Sequence, residues 1–424
     1  MGRGCAEGFG PAEFGAGVTR LLFFGDLAST GFGTVTFALG QGLLDLGVDV
    51  RFSSLNESGA ELPEPFASRT ALLGEPDGWL DAKNPETSAR LEGMFTGALF
   101  PDGWTPDVGL IVGDMGSLEM SPILTFIPEG FPVLHYVPIE GIDLPPVWGL
   151  VWQRLAPIAM CRFGAQEIAK VTGFLPPVVY HGVDTKVFHP VDAGHAIRVQ
   201  TEGVTKVLRS REDCRKMFGG DPNDIWVTRT DRNMPRKNYA SLLRSMKMVF
   251  AADKRVKLVI HAQNFDEGGN LAHSISKLGE LANRVIVTNA GGSWDRTALS
   301  AFYNASDIYV STSAEGFGLT IAEAVACGIP AVGMDYSSVP EVIGPAGILV
   351  PPGALVDNIY SYFWARVDEP KFGAAVLDLV RDVGKRRLLG AAGPRHIASI
   401  ASWATAATEF ATIIDRAARK AEAA

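Results

Sequence analysis

The sequence predicts an α/β protein of two domains, each built on a doubly wound parallel sheet. Three observations carry that prediction. The chain has 424 residues, more than one hydrophobic core ordinarily serves. Short apolar runs alternate with stretches of helical period along both halves. Glycine-rich loops follow two of the apolar runs, and α/β folds place their ligands at such strand ends.

Taken in order, Arg20-Leu-Leu-Phe-Phe reads as a buried strand and Gly25 to Gly33 as a loop. Val35, Ala38, Leu39, Gly42, Leu43 and Leu46 then repeat at helical spacing, and Val48 to Phe52 reads as a second strand, completing a βαβ unit. Strands are expected at Val108 to Val112, Pro132 to Val137, Ile158 to Cys161 and Val178 to Tyr180. Asn56 to Gly103 is rich in Gly, Pro and acids and gives no clear order. Asp184 to Asp224 reads as the crossing into a second domain, with Pro190 and Gly194 breaking regular structure. Within it Lys206 to Lys216 interleaves bases and acids as a solvated helix face does. Strands follow at Ile225 to Thr230, Val256 to Ala262, Arg284 to Asn289, Asp307 to Thr312, Ala331 to Met334 and Gly347 to Val350. The expected division is a first domain over 1–190, a second over 191–395, and a helix over 396–424, carrying Trp403, Phe410 and Ile414, that packs back across the domains.

Composition narrows the function. Hydrophobic residues make up 47% and charged residues 20%, with short apolar runs only, so no membrane-spanning helix is expected. The first residues offer no apolar core for a signal peptide, and a cytoplasmic protein is the expectation. A net charge of −9 disfavours a surface built as a whole for nucleic acid or anionic lipid. Cys5, Cys161, Cys214 and Cys327 show neither CxxC nor zinc spacing and read as free thiols.

The chemistry concentrates in STSAEGFGLTIAEAVACG, Ser311 to Gly328. A strand runs into a glycine-rich turn and then a helix, which leaves the backbone amides of Gly316, Phe317, Gly318, Leu319 and Thr320 at a helix N-terminus, a ready phosphate site. Glu315 and Glu323 flank it. Ionised carboxylates accept well from paired sugar hydroxyls, so a nucleotide sugar is the leading ligand. Arg232 and Lys237 follow the first strand of the second half, in a loop at the same sheet edge. Either they are solvated surface charges, or they join the amides in stabilising a departing diphosphate. In the second case no metal cofactor is expected, and no Asp-x-Asp pair stands ready to hold one.

Together these residues resemble the GT-B glycosyltransferases, and within them the retaining group called family 4, which includes glycogen synthase and phosphatidylinositol mannosyltransferases. The match spans the Arg-x4-Lys of Arg232 and Lys237, the Glu-x7-Glu of Glu315 and Glu323, PAVGMDYSSVPEVIGPAGILVPP, and VVYHGVDTKVFHP from Val178 to Pro190. TRTDRNMPRKN and YVPIEG also resemble glycosyltransferases of phage genomes. The resemblance implies two Rossmann-like domains facing a cleft and retaining, metal-independent transfer from a UDP- or GDP-sugar. It implies that Glu323 holds the donor ribose, Glu315 the donor sugar, and Arg232 with Lys237 the leaving group. It further implies a phosphate contact by the first-domain loop at Gly31 and Gly33, where this chain lacks the family's Gly-Gly pair, and a sugar contact by His135. His135 reads equally as a core histidine at a strand end.

Several alternatives stay open. Asp26 and Asp114 either meet an acceptor or cap helices, Glu140 either faces the cleft or stiffens its loop, and Glu341 reads as a helix-start residue near the nucleotide. The acceptor is a glycan, a protein, a small molecule or a modified DNA base, and self-association into a homo-oligomer is permitted. An epimerase or phosphorylase on the same fold, or a nucleotide-sugar-binding protein without catalysis, are the rival readings. Base recognition is expected around Asn289 to Ser293.

Overall fold

The computed structural model describes residues 18–28, 30–54, 62–73, 84–120, 123–192, 194–201, 203–288 and 294–422. The expected βαβ opening is present: β1 (Arg20–Phe24), α1 (Gly31–Asp45) and β2 (Asp49–Ser54), with Arg20 opposite Asp49 in a parallel pair. There follow β3 (Thr70–Leu72), α2 (Pro85–Thr96), β4 (Val108–Val112), α3 (Met115–Met120), α4 (Ile123–Phe126), β5 (Val133–Val137), α5 (Pro146–Arg154), β6 (Leu155–Ala159) and α6 (Arg162–Thr172). The sheet order is β3-β2-β1-β4-β5-β6, so the order reverses between β1 and β4.

The later part begins with an antiparallel hairpin, β7 (Ile197–Thr201) and β8 (Val204–Leu208), and α7 (Arg211–Met217). Its main sheet takes β9 (Ile225–Thr230), β10 (Val256–His261), β13 (Val285–Val287), β14 (Ile308–Val310), β15 (Ala331–Met334) and β16 (Gly347–Val350) in the order β13-β10-β9-β14-β15-β16. Two small hairpins, β11 (Phe265–Asp266) with β12 (Gly269–Asn270) and β17 (Pro352–Asp357) with β18 (Phe363–Val367), stand apart from it. The helices are α8 (Tyr239–Ala252), α9 (Leu271–Ser276), α10 (Arg296–Ala305), α11 (Leu319–Ala326), α12 (Val339–Ile343), α13 (Glu369–Arg381), α14 (Val383–Ile400) and α15 (Trp403–Glu422). This sheet also reverses between its first strand, β9, and the fourth, β14. A reversal of this kind is where such sheets bind ligands, in the crevice at the carboxyl ends of the two strands.

The chain forms two compact units: Met1–Tyr136 with Arg154–Ala156 and Ala404–Ala424, and Val137–Gln153 with Pro157–Trp403. In the first, Phe410 of α15 packs edge-on against Tyr136, with Ile414 buried beside it on the helix. In the second, Val227, Leu258, Ile260, Val310 and Val332 of the sheet meet Leu242, Met246 and Phe372 of α8 and α13. Each side chain of that size, fully buried, contributes about 1.5–3 kcal/mol. Val383–Ala421 is long and apolar enough by length and composition to cross a membrane, but it is two helices, α14 and α15, interrupted at Ala401 and Ser402.

Three expectations change. Val178 to Tyr180 is no strand; Val178 makes a single parallel bridge to Ala159, because Pro176 and Pro177 remove the backbone donors a ladder needs. The preceding strand starts at Leu155, and Cys161 caps α6, its Sγ accepting from Gly164 N at 3.3 Å. Lys206 to Lys216 is half strand and half helix, and Arg215 is buried, donating to Asp307 Oδ2 at 2.7 Å and to Ala305 O. Cys161, Cys214 and Cys327 are buried free thiols, as expected.

Candidate functional site

The crevice between β9 and β14 is built by two loops. After β9, Pro235 opens a single 3-10 turn, Pro235–Lys237, which ends at Asn238 in the left-handed region (φ 54°). Asn238 then caps α8 by accepting from Ser241 N. The turn brings the adjacent side chains Arg236 and Lys237 to one shared partner, Glu315, and to different second partners. After β14, Ser311 to Gly318 lead into α11.

Glu315 is the meeting point. Lys237 Nζ lies 2.7 and 2.8 Å from its two oxygens, Arg236 Nη1 donates to Oε2 at 3.0 Å, and the Ser313 hydroxyl donates to Oε1. Ser337 and Ser338 fix its backbone, Ser337 Oγ accepting from Glu315 N at 2.9 Å and Ser338 Oγ donating to Glu315 O at 2.8 Å. Burial raises the Glu315 carboxyl, but Lys237 and Arg236 outweigh it and hold the group well below the usual carboxylate range. It is ionised at neutral pH.

The same array extends on both sides. Lys237 Nζ also lies 2.7 Å from Asp231 Oδ1, and Asp231 Oδ2 accepts from the fully buried Arg229 at 3.0 Å. Arg236 Nε lies 2.9 Å from Glu140 Oε2, and its Nη1 donates to Ala314 O at 2.8 Å. Three cations thus alternate with three carboxylates. Sequence reasoning found Lys237 and Glu315 but missed Arg229, Asp231 and Arg236, and left Glu140 open. Arg232 points elsewhere: it is 57% exposed and pairs with Asp266 at 2.9 Å and Glu267 at 3.2 Å.

The glycine-rich loop expected to hold a phosphate runs directly into α11. Gly318, at φ 99°, is the N-cap of α11 and offers no side chain to the first turn, whose amides lack intrahelical acceptors. A side chain there would be strained. At Gly316 a Cβ would collide with Pro138, so the backbone is held close against the loop after β5. Phe317 is buried on His181, ring centroids 4.8 Å apart, and His181 in turn stacks on Trp403, so His181 supports the loop. Glu323, half-buried on α11, accepts from Tyr303 OH at 3.0 Å. Burial pushes its carboxyl up to about 7. Glu341 lies in the first turn of α12, as read, and its carboxylate accepts from Arg162 N and Phe163 N at 3.1 and 3.0 Å and from the Tyr180 hydroxyl, capping α6. Asn289 to Ser293 lie outside the described residues.

Gly31, Gly33 and His135 belong to the first unit. Both glycines sit in the first turn of α1, whose cap Thr30 accepts from Gly33 N at 2.9 Å. A Cβ on Gly33 would collide with the Ala28 carbonyl, whereas one on Gly31 meets open space. Asp26 braces this turn by accepting from Ala28 N and the Thr30 hydroxyl. His135 is fully buried on β5; its Nε2 donates to Gly113 O at 3.0 Å, and burial lowers its pKa to about 4, so the ring is neutral. Among the described residues no three His, Cys, Asp or Glu side chains gather as a metal site.

Residues 222–363, which contain this crevice, match the family of glycosyl transferases group 1. The chain is 26% identical over 228 residues, 52% of this chain and 51% of the relative, to the GDP-mannose-dependent monoacylated alpha-(1-6)-phosphatidylinositol monomannoside mannosyltransferase of Corynebacterium glutamicum. It is 31% identical over 203 residues, 46% of this chain and 40% of the relative, to D-inositol 3-phosphate glycosyltransferase of Rhodococcus jostii. It therefore spans about half the length of the curated relatives it matches. Among solved structures, sucrose-phosphate synthase from Thermosynechococcus elongatus aligns with 93% of this chain and 98% of its own, with a TM-score of 0.67 at 18% identity. Anabaena HepE in complex with UDP and glucose aligns with 94% and 100%, with a TM-score of 0.66 at 15% identity. The chain has the GT-B fold, and its residues 222–363 match the glycosyl transferases group 1 family.

Proposed function

We propose that this protein is a retaining, metal-independent glycosyltransferase that moves a sugar from a UDP- or GDP-sugar to a hydroxyl acceptor. The observation that carries the reading is the pairing of Lys237 with an ionised Glu315 directly beside the uncapped start of α11. The diphosphate sits on the amides of Gly318 to Thr320, and Lys237 neutralises the charge that grows on it as the bond to the anomeric carbon breaks. Glu315 accepts from hydroxyls of the donor sugar and Glu323 from those of the ribose. The departing phosphate takes the proton of the acceptor hydroxyl on the same face of the sugar, so that face is kept. The GDP-mannose dependence of the Corynebacterium relative and the UDP and glucose bound by Anabaena HepE support a nucleotide sugar as donor.

The test is release of GDP or UDP from GDP-mannose or UDP-glucose, followed by NMR of the product's anomeric proton. Lys237→Ala and Glu315→Gln each lower turnover by about 100-fold or more, the scale of losing one preorganised charge contact. Near-normal turnover in both variants, or an inverted product, overturns the reading.

A further inference from the structure

The buried charge array has an order that the family match does not assign. Lys237 bridges two carboxylates on separate strands' loops, Asp231 after β9 and Glu315 after β14. Each of those carboxylates also holds a second cation, and both second cations are arginines: Arg229 on Asp231 and Arg236 on Glu315. The arginines are fixed. Arg229 donates from Nη1 to Thr312 Oγ1 at 3.1 Å and from Nη2 to Ser313 Oγ at 3.0 Å; Arg236 is held between Ala314 O and Glu140. A planar guanidinium with several anchored donors stays in place, whereas an ammonium on a four-carbon stem swings.

We propose that Arg236 is a positioning residue: anchored by Glu140, it keeps the Glu315 carboxylate aimed at the donor sugar when Lys237 turns from Glu315 to the donor's diphosphate. This rests on the reading of the site as a nucleotide-sugar site. With Lys237 on the diphosphate, Glu315 retains Arg236 and Asp231 retains Arg229, so no buried carboxylate is left unpaired. Without Arg236, the departure of Lys237 leaves Glu315 buried with only the Ser313 hydroxyl. Glu315 then either holds Lys237 back from the diphosphate or takes up a proton, and the second outcome grows as pH falls. The charged groups around Glu315 are Lys237 and Arg236 from the turn after β9, with Asp231, Arg229 and Glu140 one contact further out. The Arg232–Asp266 pair lies apart from this array.

The experiment compares wild type, Arg236→Ala, Arg236→Lys and Glu140→Gln in the full chain. The readouts are donor hydrolysis of GDP-mannose and UDP-glucose and the affinity for each between pH 5.5 and 8.5. Thermal melts check that each variant folds. Expected for Arg236→Ala is a loss of turnover on the order of 10–100-fold, the range for a displaced catalytic contact. Its acid limb, read in a Glu323→Gln background so that Glu323 does not set it, moves upward by about one pH unit, as a carboxylate losing its cation does. Arg236→Lys restores part of both, and Glu140→Gln gives a smaller change in the same direction. A uniform loss with no movement of the acid limb, or activity equal to wild type, overturns the role given to Arg236 while leaving the donor site standing. A wild type that neither binds nor hydrolyses either sugar nucleotide overturns the donor-site reading and this inference with it.

Discussion

Replacing Lys237 by methionine removes a buried ammonium and leaves its methylene stem. Nζ lies 2.7 Å from carboxylate oxygens of both Asp231 and Glu315, and the residue is 7% exposed. Breaking a buried ion pair from one side costs about 3–5 kcal/mol, because the partner is left charged and dry. Here Arg229 and Arg236 stay behind, so the lower end, about 3 kcal/mol, applies. In a cooperative unit of this size that corresponds to a fall in Tm of roughly 6–12 °C. The pH dependence fixes the cause. Glu315's carboxyl is held below its unfolded value, so its contribution is present above the unfolded pKa of about 4.5 and is lost as pH falls toward the folded one. In Lys237→Met that depression shrinks, and toward pH 4.5 the Glu315 carboxylate takes up a proton and relieves part of the penalty. Thermal melts followed by circular dichroism at pH 7.5 and 4.5 therefore show a large deficit at the higher pH and a smaller one at the lower. An equal deficit at both, or none at 7.5, refutes the argument that Lys237 is held by ionised partners.

Three further outcomes are expected. Glu323, raised to about 7 by burial, favours the folded chain in its protonated form; that contribution is complete below about pH 4.5 and is lost as pH rises through 7, about 3 kcal/mol in all. Nucleotide affinity runs the other way, rising between pH 6 and 8 as the carboxylate ionises to accept from the ribose, and calorimetry on Glu323→Gln finds this dependence gone. Gly318→Ala, forced to φ 99°, loses about 1–2 kcal/mol in denaturant melts and binds nucleoside diphosphates more weakly, with Gly31→Ala, which meets open space, as the neutral control for stability. Turnover in excess EDTA equals turnover without it, and a drop reversed by Mg2+ contradicts the metal-independent mechanism.

The acidic loop was legible because its parts are unusual in combination: a strand, glycines, a helix and two glutamates in one short segment. The strand order was half legible, since alternation predicts parallel sheets but not which strands neighbour at the reversal point. Arg236 was hidden by its neighbour. An Arg-Lys doublet reads as one basic patch, and only the turn set by Pro235 and Asn238 separates the two side chains. Arg229 and Asp231 were missed because alternate residues at a strand's end carry no sign of which one is buried; the signal available was a charged residue inside an otherwise apolar strand. The β7–β8 hairpin had a readable cue, Glu202-Gly203 between two alternating runs, with Gly203 at φ 79°. Arg232 shows the reverse limit: its motif spacing was visible, but its acidic partners Asp266 and Glu267 lie more than thirty residues away in sequence.

The most direct measurement is thermal stabilisation by UDP, GDP and ADP, each alone and as its sugar conjugates, on wild type and on Lys237→Met. A donor site at the start of α11 predicts that nucleotides of one base stabilise the wild type by about 2.7 kcal/mol at 100 times their dissociation constant. It also predicts that Lys237→Met loses most of that gain at the same concentration. No stabilisation of the wild type by any of these ligands, or an undiminished gain in the variant, contradicts it.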